Sequence, residues 1–276
     1  MADGHQAQAD LWNGAAGRSW VAAEASLDIM YQPFADLLME KLGPARHVLD
    51  IGCGAGRVTL TTAKHLSATT GAATGIDISE PLIALARRRA ATENIAAEFL
   101  CGDAQHYSFT AGQFDLLVSR FGISFFADPV RAFANLRRAA RPGGALCFLT
   151  WRAPKDNPFM TEGERAAAPL LPPLPPRDPQ APGPFALADR ARIVALLEES
   201  GWRDIAVTPV DRICVFPERD LTHYLAWMGP VGRLLQTADE DLRARVLETV
   251  RHAFDVFVTG DEVCFDAACW MIEARA

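Results

Sequence analysis

Twelve residues indicate the fold of this 276-residue chain: Val48-Leu49-Asp50-Ile51-Gly52-Cys53-Gly54-Ala55-Gly56-Arg57-Val58-Thr59. A short apolar run ends in a carboxylate, a glycine-rich turn follows, and an amphipathic stretch then begins. This order is typical of a strand, a nucleotide-binding loop and a helix in an α/β protein.

The spacing of the glycines separates two kinds of nucleotide ligand. A dinucleotide-binding loop needs G-x-G-x-x-G, in which the third glycine lets the helix pack closely on the strand near a pyrophosphate. Here Gly56 comes one residue early, and Arg57 occupies the expected place. Asp50 stands two residues before the first glycine, where its charge repels a pyrophosphate and suits an ammonium group. The spacing therefore disfavours a nicotinamide-dependent reductase.

Four further apolar runs after the loop carry the strand pattern. They cover residues 73–78, 97–100, 114–119 and 145–151, the last one after the break at Pro142-Gly143-Gly144. Asp77, Asp103 and Ser119 lie at or just after the ends of three of these runs. Because helix signals separate the runs, they predict a parallel sheet that binds its ligand outside the carboxyl ends of its strands.

The D-x-G-x-G-x-G run, with the later motifs in order, resembles the class I S-adenosylmethionine-dependent methyltransferases over residues 10–151. The leading segment is similar to that of the small-molecule branch, which includes the quinone-biosynthesis C-methyltransferases. The resemblance implies an α/β, Rossmann-like, seven-stranded and mostly parallel sheet with helices on both faces, an N-terminal helical cap and lid insertions. It also implies S-adenosyl-L-methionine as cofactor and S-adenosyl-L-homocysteine as product.

Carried over by position, the resemblance also implies the cofactor contacts. Asp50 and the three loop glycines would line the methionine end, Asp77 the ribose, Asp103 the adenine, and Arg120 the sulfur. The residues alone leave plainer alternatives open: a glycine makes a turn, an aspartate caps a helix, and a tryptophan anchors the N-terminal helix. The predicted set is Trp20, Asp50, Gly52, Cys53, Gly54, Asp77, Ile78, Asp103, Ala104, Ser119 and Arg120.

The domain organisation follows from the places where this plan is interrupted. We expect a helical cap at 1–46, the cofactor-binding core at 47–151, a proline-rich lid at 152–186, more core at 187–217, a helical lid at 218–260 and a final core strand at 261–276. The proline-rich segment can also be a disordered linker or a partner-binding polyproline segment. Its apolar anchors favour an ordered lid; they are Phe159, Met160, Leu170, Leu171, Leu174 and Phe185.

Composition and charge limit the partners that we expect this protein to bind. A net charge of −7 argues against a nucleic-acid substrate, because a phosphate backbone is held by clustered Lys and Arg. The basic runs at 87–89 and 137–138 lie in predicted helices and are expected to be solvated faces. No C-x-x-C or H-x-x-x-H spacing occurs, so we predict no metal. No apolar run approaches a membrane span, so we expect a cytoplasmic protein, a monomer or a homodimer.

The residues after the fourth predicted strand bear on the acceptor. The segment Ser119-Arg120-Phe121-Gly122 stands where methylases of nucleic-acid bases carry N/D-P-P-Y/F, which counts against base methylation. The aromatic residues Phe121, Phe125, Phe126 and Trp151 favour a small, largely apolar acceptor that is methylated on oxygen or carbon. We expect one of the two neighbouring phenylalanines to belong to the core.

Two residues are candidates for catalysis. His223 can act as a base because histidine titrates near neutrality, although it can equally be a surface-helix histidine. Arg120 can orient a carboxylate or phenolate, or can pair with a neighbouring acid. The alternative function is that of a noncatalytic S-adenosylmethionine-binding regulatory or assembly protein, since binding motifs persist where catalysis is lost.

Overall fold

The computed structural model describes residues 2–173 and 176–276, and four helices precede its first strand. Their apolar residues recur at helical spacing and face the core: Leu27, Met30, Phe34 and Leu38 are each at most 2% exposed. Burial of this stripe holds the N-terminal segment on the sheet. The helices are α1 (Ala2–Asn13), α2 (Ala15–Ala22), α3 (Glu24–Met30) and α4 (Gln32–Glu40).

The strands form one mostly parallel sheet, as predicted. They are β1 (His47–Ile51), β2 (Ala72–Asp77), β3 (Glu98–Cys101), β4 (Phe114–Arg120), β5 (Ala140–Trp151), β6 (Arg203–Pro217), β7 (Val258–Thr259) and β8 (Glu262–Arg275). Their order is β3-β2-β1-β4-β5-β8-β6, and β7 pairs with β8. Strands β1 to β5 run parallel, whereas β8 is antiparallel to β5 and β6. The α/β class is therefore confirmed.

Two details of the sheet differ from the prediction. The sheet has eight strands among the described residues instead of seven, because the two-residue β7 is too short to show any alternation in the sequence. Strand β5 begins at Ala140 instead of Ala145. The strand includes Pro142, Gly143 and Gly144 although Gly143 has a φ of +74°, and the register with β4 shifts between Phe114 and Leu116. The break predicted there is thus an irregularity within the strand.

Successive residues of the central strands enter two different core layers. Val48 and Val118 pack with the N-terminal helices and the helices of the predicted lids, whereas Leu49 and Leu117 pack with α7 (Pro129–Ala139) and α9 (Arg190–Glu199) on the other face. This alternation follows from the two-residue repeat of a strand. The remaining helices are α5 (Arg57–Leu66), α6 (Glu80–Thr92), α8 (Phe159–Ala167), α10 (Leu221–Trp227), α11 (Gly229–Leu235) and α12 (Glu240–Ala253).

The two segments predicted as lids, 152–186 and 218–260, both contribute residues to the core on one face of the sheet. In the proline-rich segment, the ring of Phe159 stacks on that of Phe265 in β8 with centroids 3.7 Å apart, and Phe185 is buried. Three further anchors are partly buried against the same core: Met160, Leu170 and Leu171. The predicted anchor Leu174 lies outside the described residues. Among the helices of the described residues, none combines the length and apolarity that crossing a bilayer requires.

Candidate cofactor and acceptor site

The loop after β1 is built around close contact with the turn after β4. Strands β1 and β4 are neighbours although two other strands lie between them along the chain, so ligand-binding loops meet at this switch point. Gly52 has a φ of +64°, and a Cβ atom there would lie 2.7 Å from the Cα atom of Gly122. Gly54 also has a positive φ, of +54°, but no atom lies within 4 Å of the place its Cβ would take.

Gly56 has a different role from the other two loop glycines. Its φ is +85°, and a Cβ atom there would lie 2.9 Å from the ring of Phe99 and 3.0 Å from Ala86. It is buried at the start of α5. Gly56 therefore lets α5 pack closely on its neighbours. It lines neither of the two cavities that lie outside the strand ends, in contrast to its predicted place at the methionine end.

Two neighbouring cavities lie outside the carboxyl ends of the strands. The larger has a volume of about 420 Å³ and the smaller about 40 Å³. Trp20, Gly52, Gly54 and Arg120 line both of them. The wall of the larger cavity comes from the N-terminal helices, the strand ends and both inserted segments. Segments far apart in the sequence therefore build one continuous site.

Charged side chains of both signs surround the small cavity. The carboxylates are those of Glu24, Asp28 and Asp50, and the guanidinium groups are those of Arg57 and Arg120. Burial lowers the pKa of Arg120, while the charges of Asp28 and Asp50 act to raise it. Such a mixture suits a small ligand that carries both an ammonium and a carboxylate group.

Asp50 is the most buried of these acids, with 2% of its surface exposed. The hydroxyl of Thr59 donates a hydrogen bond to its Oδ2 atom over 2.7 Å. Burial nevertheless dominates and raises the pKa of Asp50 to about 7, because the charged form loses its hydration. Among the described residues, no cationic side chain donates a hydrogen bond to Asp50, and a ligand ammonium group can fill that role.

The other two acids tie α3 to the core. Arg89 lies 2.5 Å from Glu24 and 2.6 Å from Asp28, and its Nη1 atom donates to the carbonyl oxygen of Ala55 in the glycine loop. The expectation that residues 87–89 form a solvated face is wrong for Arg89, whose side chain is only 15% exposed. A basic run on a helix does not reveal acidic partners that come from another helix.

Asp77, at the end of β2, lines the large cavity together with Ile78. Its two oxygens accept hydrogen bonds from backbone amides: Oδ2 from Gly54 at 2.8 Å and Oδ1 from Ser79 at 2.9 Å. Burial raises the pKa of Asp77, and these amide bonds oppose that shift. Each carboxylate oxygen keeps a further accepting position, so Asp77 can receive two hydroxyl groups.

Asp103 and Ala104 line the same cavity beyond β3. The Asp103 Oδ2 atom lies 2.5 Å from Nδ1 of His5 and 3.9 Å from Nε2 of His106. Gln105 donates to both oxygens, through its backbone amide and its side chain. These contacts attach α1 to the core beside the cavity.

The residues His5, Asp103 and His106 can also serve as metal ligands. The prediction of no metal relied on spacing along the chain. That spacing does not reveal a group in which His5 lies about a hundred residues from Asp103 and His106. The absence of a metal stays a prediction.

Three other predicted contacts have different surroundings. Trp20 lines both cavities, and Cys53 lines the small one. Ser119 lines neither: it is fully buried, and its hydroxyl donates to the carbonyl oxygen of Ile51 over 2.7 Å. Adjacent strand residues point to opposite faces, so Arg120 reaches the cavities whereas Ser119 braces β4 against β1. The prediction that Ser119 faces the cofactor is corrected accordingly.

His223 is also away from the cavities. It is exposed on α10, and its Nε2 atom lies 3.0 Å from the carbonyl oxygen of Ala22. The next residue, Tyr224, lines the large cavity instead, because one step along a helix turns the side chain by about 100°. Burial raises the pKa of Tyr224. The structure thus does not support His223 as a catalytic base.

Aromatic side chains form the wall next to Arg120. The rings of Phe121 and Trp151 are stacked with centroids 4.4 Å apart, and Tyr31 contacts both edge to face. Phe121 has a φ of +71°, a strained conformation for a residue with a large side chain. Further along, both Phe125 and Phe126 line the cavity, and Phe126 also packs against the core beside Phe133, as expected for one of the two. Trp12, which contacts Phe125 at 5.1 Å, also lines the cavity.

The end of the large cavity formed by the inserted segments is polar, which the sequence did not indicate. Glu164, Arg177 and Arg233 line it together with Met160, Trp227 and Met228. The three charged residues come from α8, from the segment after it and from α11. No local motif joins them, and only the packing of the two insertions against each other brings them together.

These features define a class of protein. Residues 48–144 match the family model described as a methyltransferase domain, and this span holds the glycine loop, Asp77, Asp103 and Arg120. The sheet order and the loop agree with that match. Residues 48–144 therefore form a methyltransferase domain.

Individual relatives share this domain. The chain is 35% identical over 124 residues to a demethylmenaquinone methyltransferase of Thermus thermophilus, a stretch covering 45% of this chain and 54% of the relative. It is 35% identical over 105 residues to a ubiquinone biosynthesis O-methyltransferase of Coxiella burnetii, covering 38% and 43%. The chain thus spans about half the length of the curated relatives it matches. The YcgJ protein of Bacillus subtilis has a similar fold, with a TM-score of 0.56 and 20% identity over 88% of this chain and 98% of that one.

Proposed function

We propose that this protein transfers the methyl group of S-adenosylmethionine to an oxygen or carbon atom of a small, largely apolar acceptor. The observation that carries the proposal is the division of the site into a narrow charged part and a wide aromatic part. The narrow part suits an amino acid group, and the wide part has room for an aromatic acceptor. The names of the two curated relatives, which concern quinones, support an acceptor of this kind.

The donor set supports the choice of cofactor. Asp50 would bind the ammonium group and Arg120 the carboxylate, since these groups meet in the small cavity. Asp77 has two accepting positions left for the ribose hydroxyls, and Asp103 has one left on Oδ1 for the amino group of adenine. Trp20, which borders both cavities, would cover the region between them.

When bound, S-adenosylmethionine supplies a methyl group on a positively charged sulfur, a good leaving group for in-line displacement. The residues of this chain would align the acceptor and exclude water. The stacked pair of Phe121 and Trp151 forms a rigid apolar wall for this purpose. Tyr31 and Tyr224 line the same space, and burial raises the pKa of both. They would therefore stay neutral and hydrogen-bond to the acceptor instead of removing its proton.

We also propose that residues 1–46, 152–186 and 218–260 act as cap and lids on a core formed by the rest of the chain. All three segments contribute wall residues, for example Trp20, Phe185 and Tyr224. A ligand between them would hold them together. S-adenosylhomocysteine should therefore slow limited proteolysis within these segments, and unchanged cleavage there would contradict the assignment.

The first test follows label from methyl-tritiated S-adenosylmethionine in a fractionated cell extract. We expect label in organic-extractable small molecules, and its loss with Asp77→Asn, which removes the charge of the carboxylate with little change in shape. His223→Ala serves as the matched control, because this side chain lies outside the cavities, and it should retain labelling.

The other outcomes separate the alternatives. Label confined to protein or RNA would refute the small-molecule acceptor. Binding of S-adenosylhomocysteine by calorimetry, without transfer to any fraction, would favour the noncatalytic binding protein. An Asp77→Asn variant that labels as well as the wild type would refute the assignment of the ribose contact.

A further inference from the structure

We propose that the end of the large cavity formed by Arg233, Arg177 and Glu164 is a carboxylate-binding subsite. The methyl acceptor would then be an apolar, aromatic molecule that carries a carboxylate group remote from the methylated atom. That the bound carboxylate belongs to the methyl acceptor rests on the proposed function. The subsite itself depends only on the residues that line it.

Arg233 is the central residue of the argument. It lies on α11 and lines the cavity, and the residue as a whole is exposed. Burial by the surrounding protein nevertheless lowers its pKa, and Glu164 is the neighbouring charge that acts against this shift. Arg233 is thus a partly desolvated cation on the wall of a concave site. Such a cation attracts an anion more strongly than one on an open surface.

The neighbouring charges leave Arg233 available. Both oxygens of Glu164 accept from the Nη2 atom of Arg177, at 2.8 and 3.1 Å, so Arg177 already neutralises this acid. Asp178 also lines the cavity, and its Oδ1 atom accepts from the backbone amide of Gln180. Within the described residues, Arg233 forms no side-chain hydrogen bond or ion pair. Its guanidinium donors can therefore bind a ligand carboxylate in the bidentate manner typical of arginine.

A structural role would leave a different pattern of contacts. Arg243, on the following helix, donates to the carbonyl oxygen of Leu235 at 3.2 Å, and Arg89 pairs with two acids. Arg233 has no such partner in the described part of the chain. The apolar neighbours Met160, Trp227 and Met228 would contact the body of the ligand beside its carboxylate.

The test uses 2-naphthoate and the uncharged 2-naphthamide as probes, with binding measured by calorimetry at pH 7.5, with and without S-adenosylhomocysteine. The wild type should bind naphthoate at least about tenfold more tightly than naphthamide, as expected of a charged hydrogen-bonded pair. Arg233→Gln should reduce this preference to about twofold or less. Arg245→Gln, at an exposed position of α12, is the matched control and should keep it.

A second variant distinguishes recognition from support of the fold. Glu164→Gln releases Arg177 from its acid and should strengthen naphthoate binding, which a merely structural role of this pair would not do. Equal affinity of the wild type for both probes, no detectable binding of naphthoate, or a preference that survives Arg233→Gln would overturn the subsite. Binding of S-adenosylhomocysteine is measured separately. If the protein does not bind it, the proposed function is refuted, whereas the subsite is still tested by the preference for naphthoate over naphthamide.

Discussion

Cofactor affinity should depend on pH through Asp50. The pKa of this buried carboxyl group is about 7 in the free protein, so about nine-tenths of it is ionised at pH 8 and about one-tenth at pH 6. Only the ionised form attracts the ammonium group of the ligand. We therefore expect the affinity for S-adenosylhomocysteine to fall about tenfold from pH 8 to pH 6, which corresponds to about 1.4 kcal/mol.

The stability of the ligand-free protein should change in the opposite direction. Folding raises the pKa of Asp50 from 3.8 to about 7, so the folded state holds a proton that the unfolded state releases. The contribution of Asp50 to the free energy of unfolding therefore decreases as pH rises through 7, by about 1.4 kcal/mol between pH 6 and pH 8. Asp50→Asn should abolish this difference.

The assay is calorimetric titration with S-adenosylhomocysteine at pH 6, 7 and 8 and constant ionic strength. Asp50→Asn should bind weakly and lose most of the pH dependence, and the comparison with the wild type isolates Asp50 from other titratable groups near the cavity. Asp36→Asn, at an exposed position of α4, is the control and should match the wild type. A wild-type affinity that is equal at pH 6 and pH 8, or an unchanged slope in Asp50→Asn, would refute the reasoning.

Three further predictions concern the scaffold of the site. Gly52→Ala should lower the free energy of unfolding by about 2–3 kcal/mol, because it adds a backbone clash to an unfavourable φ. Gly43 has a φ of +50° but open space around its Cβ position, so Gly43→Ala should cost only about 1 kcal/mol. Equal costs of the two substitutions in urea unfolding would contradict the clash. Phe121→Gly should be no less stable than Phe121→Ala in the same assay, since glycine tolerates the φ of +71°, and the reverse order would show that strain is unimportant. Arg89→Ala should cost about 2–4 kcal/mol, because it leaves partly buried Glu24 unpaired and Asp28 with only its longer contact to Arg57. Exposed Arg88→Ala should cost less than about 0.5 kcal/mol, and similar values would mean that the ion pairs contribute little.

The sequence predicted the core of the fold because its signals there are local. The apolar run, the acidic strand end and the glycine turn follow one another within twelve residues at 48–59. Strand ends at Asp50 and Asp77 were recognisable for the same reason, and both line the cavities. Their contact with the cofactor remains a prediction.

Predictions that depended on the direction of a single side chain were less successful. His223 and Tyr224 differ by one position on α10, yet only the tyrosine lines the large cavity. Ser119 and Arg120 differ by one position on β4, and only the arginine does so. Local pattern indicates the element but not its rotation when the element's packing partners are unknown.

The sequence by itself determined the class of sheet, the order of its motifs and the acidic residues at its carboxyl edge, because each is encoded by neighbours along the chain. Tertiary structure alone decided the pairing of Arg89 with Glu24 and Asp28, and the meeting of Glu164 and Arg177 with Arg233. Charges such as these interact over a few ångströms in space. Their separation along the chain therefore does not show that they are close in space.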